Sequence, residues 1–85
     1  MAEVHVAVEA LDAIEELPSD ERERTKERLE KAGDDPERYL NHLKGSDLFA
    51  VRIGDYRALV EWAADEDRLY VVAFGHRRNV YDREL

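Results

Sequence analysis

The sequence predicts an α+β domain, with two N-terminal helices packed on one face of a small antiparallel sheet of about four strands. Three observations predict it. Val8, Leu11, Ile14 and Leu17 recur every third residue, as on one face of a short helix. A highly charged stretch over residues 19–32, free of glycine and proline, continues the helical character. From Asp47 onwards β-branched and aromatic residues predominate, and Gly54-Asp55 divides the first of them into a hairpin.

In chain order, residues 4–7 alternate weakly and suit a first strand, with His5 and Ala7 on one side and Val4 and Val6 on the other. The first helix stops before Pro18, because proline disfavours a helical residue ahead of it. Ser19 is the expected N-cap of the second helix, with Asp20, Glu21 and Glu23 in its first turn and Gly33 at its end. Its apolar stripe is thin, being Leu29, Ala32 and Thr25. Asp34-Asp35-Pro36 opens a short segment whose Tyr39, Leu40 and Leu43 are expected beneath the sheet. Residues 64–67 read as a polar loop, and the apolar run at 69–74 suits a central strand.

The hairpin fixes a register. A two-residue loop with glycine first pairs Ile53 with Tyr56, which sets Arg52 directly opposite Arg57. Phe49, Val51 and Ile53 then share the core face with Tyr56, Ala58 and Val60. Like charges opposite each other cost up to about 1 kcal/mol. Either a carboxylate such as Glu61 neutralises the arginines, or they await an anionic ligand. Gly75-His76-Arg77-Arg78-Asn79-Val80-Tyr81 follows the last strand, so four arginines, a histidine and a tyrosine are expected to meet.

Composition sets bounds. A chain of 85 residues makes one domain, here residues 1–85, and buries only about 60% of its unfolded surface. It has no cysteine for a disulfide or a thiolate metal site, and a cytoplasmic location is the expectation. No apolar run is long enough to span a bilayer, and the first residues lack the charged and apolar regions of a signal peptide, so none is expected. The net charge of -8 argues against nucleic-acid binding, but it is unevenly spread. Residues 1–37 hold 5 basic and 13 acidic side chains; residues 38–85 hold 8 of each. Lysine occurs only at 26, 31 and 44, an acidic, lysine-poor surface of the kind found in salt-loving cytoplasms.

The run Gly45-Ser46-Asp47-Leu48-Phe49-Ala50-Val51-Arg52-Ile53-Gly54-Asp55-Tyr56-Arg57, together with Gly-His-Arg-Arg-Asn-Val-Tyr at 75–81, resembles the two signature stretches of the RelE/ParE toxin superfamily. The RelE branch, in its archaeal form, is the better match, and the likeness covers nearly the whole chain. It implies the toxin of a toxin-antitoxin pair: an endoribonuclease that cuts messenger RNA on the ribosome without metal or cofactor. Arg57 and Arg77 match the arginines that clamp the scissile phosphate, and Tyr81 matches a C-terminal tyrosine used as base or stacking platform. Arg52 stands where potent members often carry lysine, and Ala50 where they carry a second one. Arg78 and Lys44 read as further phosphate contacts.

Arginine stays protonated and cannot act as a base, so His76, whose type titrates near neutrality, is the chemical candidate. The implied partners are a cognate antitoxin, messenger RNA and the ribosome, with no membrane. The antitoxin is expected to cover apolar surface around Leu17, Leu29 and the sheet edge, which a homodimer would cover in isolation. Two other readings stay open: a ParE-like inhibitor of DNA gyrase, and a weak or inactive RelE homologue that acts through partner binding.

Overall fold

The computed structural model describes residues 2–76. Its elements in chain order are β1 (Glu3–Val6), α1 (Val8–Glu15), α2 (Ser19–Asp34), α3 (Pro36–Tyr39), β2 (Asn41–His42), β3 (Phe49–Ile53), β4 (Tyr56–Ala63) and β5 (Arg68–His76). The strands form one sheet in the order β1-β5-β4-β3-β2. The α+β class is as the sequence predicts, but the sheet has five strands rather than four, and it is mixed. β1 runs parallel to β5, with Val4 beside Leu69 and Val6 beside Val71, while the other pairings are antiparallel. The connection from β1 runs through the helices and then through β2, β3 and β4 before the chain returns as β5, a crossover long enough for a parallel pair.

The helices cover one face. Ala10 and Ile14 of α1 and Leu29 and Ala32 of α2 pack on Val51, Ile53, Ala58, Val60 and Val71 of the sheet. Ile14, Val60 and Leu59 are essentially inaccessible. Thr25 also belongs to this buried layer, and its hydroxyl donates to the Glu21 carbonyl at 2.9 Å, so a polar atom enters the core satisfied. Ser19 does not cap α2 from outside; it is the helix's first residue, Pro18 occupies the flanking position, and no side chain caps there. The helix ends one residue past Gly33, near where the sequence places it, and the N-terminal segment crosses that glycine closely: Ala2 N–H donates to the Gly33 carbonyl at 2.7 Å. A Cβ at Gly33 would stand 2.8 Å from both the Ala2 carbonyl oxygen and Val4 Cγ2.

On the other face, a smaller apolar cluster of Ala50, Leu59 and Ala73 is joined by Leu43, Leu48 and Val72. Leu43 therefore packs on the face away from the helices, not beneath the sheet with Leu40. Short β2 explains this split: it pairs Asn41 with Ala50 and His42 with Phe49, and consecutive residues of a strand point to opposite faces.

β4 and β5 carry one irregularity that matters for the site. Leu59 pairs with Ala73 and Val60 with Val71, so Val72 is an extra residue on β5. The bulge inverts the alternation beyond it. Tyr70 and Val72 share the open face with Ala73, and Phe74 turns to the core.

Candidate functional site

The β3-β4 hairpin forms as the sequence predicts. Gly54 takes φ 58°, a conformation that glycine adopts without penalty, and a positive φ at the first loop position alone is the signature of a II′ turn. Ile53 pairs with Tyr56, and Arg52 stands directly opposite Arg57. Both arginines line a concavity of about 340 Å³ on the open face, together with Asn41, Leu43 and Ala50. Its basic wall and small floor suit a phosphate-sized anion.

The two arginines differ. Arg52 is exposed. Arg57 is buried, with 7% of its surface accessible, and its Nη1 donates to the Tyr56 carbonyl at 2.9 Å and to the Gly54 carbonyl at 3.3 Å. Among the described residues no carboxylate pairs with either; the ion pairs there involve His5, Arg22, Lys26 and Arg68. Glu61, the expected neutraliser, stands opposite Tyr70 in the half of β4 farther from the turn. It lines a different hollow, with His5, Glu66 and Tyr70. There the Arg68 guanidinium is held above its ordinary pKa by the Tyr70 hydroxyl and then by Glu3 and Glu66.

His76 does not join the arginine pair. It stands opposite Tyr56, and its ring meets that of Tyr56 edge-on at 6.0 Å, while Tyr56 stacks on Phe74 at 5.5 Å on the helix-facing side. The cause is the bulge at Val72: strict alternation from Leu69 would have sent His76 to the arginine face, and the extra residue sends Gly75 there instead, opposite Arg57. Lys44 is exposed in the turn after Leu43. Arg77, Arg78 and Tyr81 lie outside the described residues.

Two features were not read from the sequence. Asn41 enters the concavity through a two-residue strand too short to show a period. The exposed apolar side chains sit on α1, at Val8 (74% accessible) and Leu11 (41%), not at Leu29, which is buried. No group of His, Cys, Asp and Glu among the described residues is arranged to hold a metal ion, and no helix among them is long and apolar enough to cross a membrane.

A helical layer on a sheet of this order is the fold that the RelE toxins share. It is similar to the RelE–RelB complex of Pyrococcus horikoshii, at TM-score 0.78 and 21% identity over 93% of this chain and 98% of that one. It is also similar to the RelBE2 toxin-antitoxin complex of Mycobacterium tuberculosis, at TM-score 0.81 and 20% identity over 89% and 98%. The isolated RelE toxin of E. coli matches at TM-score 0.76 and 23% identity over 98% and 94%. No curated protein sequence matches the chain. The family model described as "ParE toxin of type II toxin-antitoxin system, parDE" matches residues 4–81, so the chain belongs to the ParE toxin family, within the RelE/ParE superfamily.

Proposed function

We propose that this toxin is an endoribonuclease that grips a messenger RNA phosphodiester between Arg52 and Arg57. The observation that carries the reading is the opposed arginine pair itself. It lines an open concavity without a carboxylate among the described residues, an arrangement that weakens the hairpin unless an anion occupies it.

In the reaction, the ribose 2′-hydroxyl attacks the adjacent phosphorus and the P–O5′ bond breaks. The products are a 2′,3′-cyclic phosphate and a 5′-hydroxyl end. Negative charge grows on the non-bridging oxygens in the transition state, where a fixed guanidinium contributes most. Neither arginine can accept the 2′-proton. With His76 turned to the helix side, the proton-transfer role passes to Tyr81, with Arg77, Arg78 and Lys44 as further phosphate contacts. The acidic first half of the chain repels RNA at long range, so docking relies on short-range contacts and on the ribosome presenting the strand. The partner that silences it is a cognate antitoxin, as in the toxin-antitoxin complexes whose fold it shares; the exposed Val8 and Leu11 of α1 are apolar surface available to it.

One observation favours a second reading. The matching family model bears the name of ParE, whose branch acts on DNA gyrase through protein contacts, and an acidic chain suits a protein target better than a nucleic acid. Incubation with translating ribosomes, followed by mapping of messenger ends, separates the two. Codon-positioned cuts ending in cyclic phosphate and lost in the Arg52→Ala, Arg57→Ala double variant support the nuclease. Gyrase-dependent DNA breaks with intact messenger select the second reading, and neither effect leaves a partner-binding homologue, as the alanine at position 50 would suit.

A further inference from the structure

Arg57 is the one buried charged side chain among the described residues. A buried guanidinium without a carboxylate must satisfy its five N–H groups in some other way. Nη1 spends its two on the Tyr56 and Gly54 carbonyls. Nε and Nη2 make no hydrogen bond among the described residues, yet no buried side-chain nitrogen there lacks a partner. Those two nitrogens are therefore not sealed from solvent, and Arg57 lines the concavity on the open face. The Nε–Nη2 edge is a two-donor fork that matches two oxygens of a tetrahedral oxyanion, which a point charge does not.

What holds the fork in place is the turn. The Gly54 carbonyl direction depends on a backbone at φ 58°, which L side chains rarely adopt, and the Tyr56 carbonyl lies just beyond the same loop. Gly75, across the ladder from Arg57, has no side chain to crowd it, and Arg52 flanks it on the other side. We infer that the Gly54-Asp55 turn is the positioning element of an oxyanion site. The Gly54 carbonyl, with that of Tyr56 just beyond the turn, fixes Nη1 so that the Nε–Nη2 edge, with Arg52 beside it, is presented to a phosphate group. This rests on the reading of the arginine pair as a phosphodiester grip.

The test is a titration of the whole chain with inorganic phosphate at constant ionic strength, following by NMR the Nε–H resonance of Arg52, which lines the same concavity and is kept in every variant, with chloride as the comparison anion. In the wild type, phosphate shifts that resonance saturably and chloride does not. Gly54→Asn, a residue tolerated at positive φ in such turns, binds phosphate within about twofold of wild type. Gly54→Val, which cannot hold that φ, and Arg57→Lys, which has no fork, each weaken phosphate by about tenfold and lose the preference over chloride. A folded Gly54→Val with wild-type affinity and selectivity overturns the positioning role alone, and Arg57→Lys with both overturns the fork; should Gly54→Val not fold, Gly54→Ala, strained at the same φ, is read in its place. Absence of any phosphate site in the wild type overturns the grip and this inference together.

Discussion

Replacing Arg52 by glutamate is predicted to stabilise the fold while abolishing its anion site. Ile53 and Tyr56 close a two-residue turn, so they form the hydrogen-bonded pair and Arg52–Arg57 is the next, non-hydrogen-bonded one. Facing Cβ atoms at such positions approach to about 4.5–5.5 Å, where a like-charged pair costs up to about 1 kcal/mol and an opposite pair contributes about 0.2–1 kcal/mol. Arg57 is anchored by two carbonyls and stays in place, so the substitution converts repulsion to attraction with a net gain of about 1 kcal/mol. In a domain of this size that is a rise of roughly 4–8 °C in Tm. Opposing it, the overall charge moves two units further negative from -8, a diffuse penalty that is screened beyond about 8 Å at physiological salt. Thermal unfolding by circular dichroism at 0.15 M and 0.5 M salt measures the balance. Arg52→Gln should give a smaller gain, by removing the repulsion alone. An Arg52→Glu protein that melts at or below wild type at both salt concentrations refutes the claim that the opposed pair is a stability cost retained for a ligand.

Gly33→Ala should destabilise, although alanine is the better helix former by about 1 kcal/mol. The new Cβ would meet a backbone oxygen and Val4 Cγ2 at 2.8 Å, and such overpacking costs about 1–3 kcal/mol; a raised midpoint in urea would disprove the close crossing of β1 over α2. Ala50→Lys places a cation on the wall of the arginine concavity and should tighten inorganic phosphate roughly fivefold, read by the same titration as Arg57. Wild-type Tm should climb as potassium chloride rises from 0.05 to 1 M, because 13 of the 18 charged side chains in residues 1–37 are acidic. A flat salt response removes self-repulsion as a factor.

Much of this was legible in the chain, for local reasons. The Gly54-Asp55 turn dictates a register by its length, and that alone set Arg52 against Arg57 and sorted Val51 and Ala58 to the core. Helix α1 followed from apolar spacing and Pro18, and α2 from a charged run without glycine or proline. What escaped was non-local or aperiodic. The parallel pairing of β1 with β5 joins residues more than sixty positions apart, and nothing within Glu3–Val6 encodes the partner. The bulge at Val72 lies in an apolar run with no alternation to interrupt, so the reversal that turns His76 towards Tyr56 leaves no mark in the sequence. Thin as its stripe is, α2 still buries Leu29 and Ala32, which moved the exposed apolar surface to α1. The Glu61 neutraliser failed for distance: it lies four residues beyond Arg57, roughly 13 Å along the strand.

The most direct measurement is the single-turnover rate of messenger cleavage on programmed ribosomes, for the wild type and for Arg52→Ala and Arg57→Lys proteins shown to be folded. A grip on the scissile phosphate predicts cleavage by the wild type, and losses of at least about tenfold for Arg52→Ala and about a hundredfold for Arg57→Lys. Wild-type rates in both variants, or a messenger that the wild type leaves whole, contradict it.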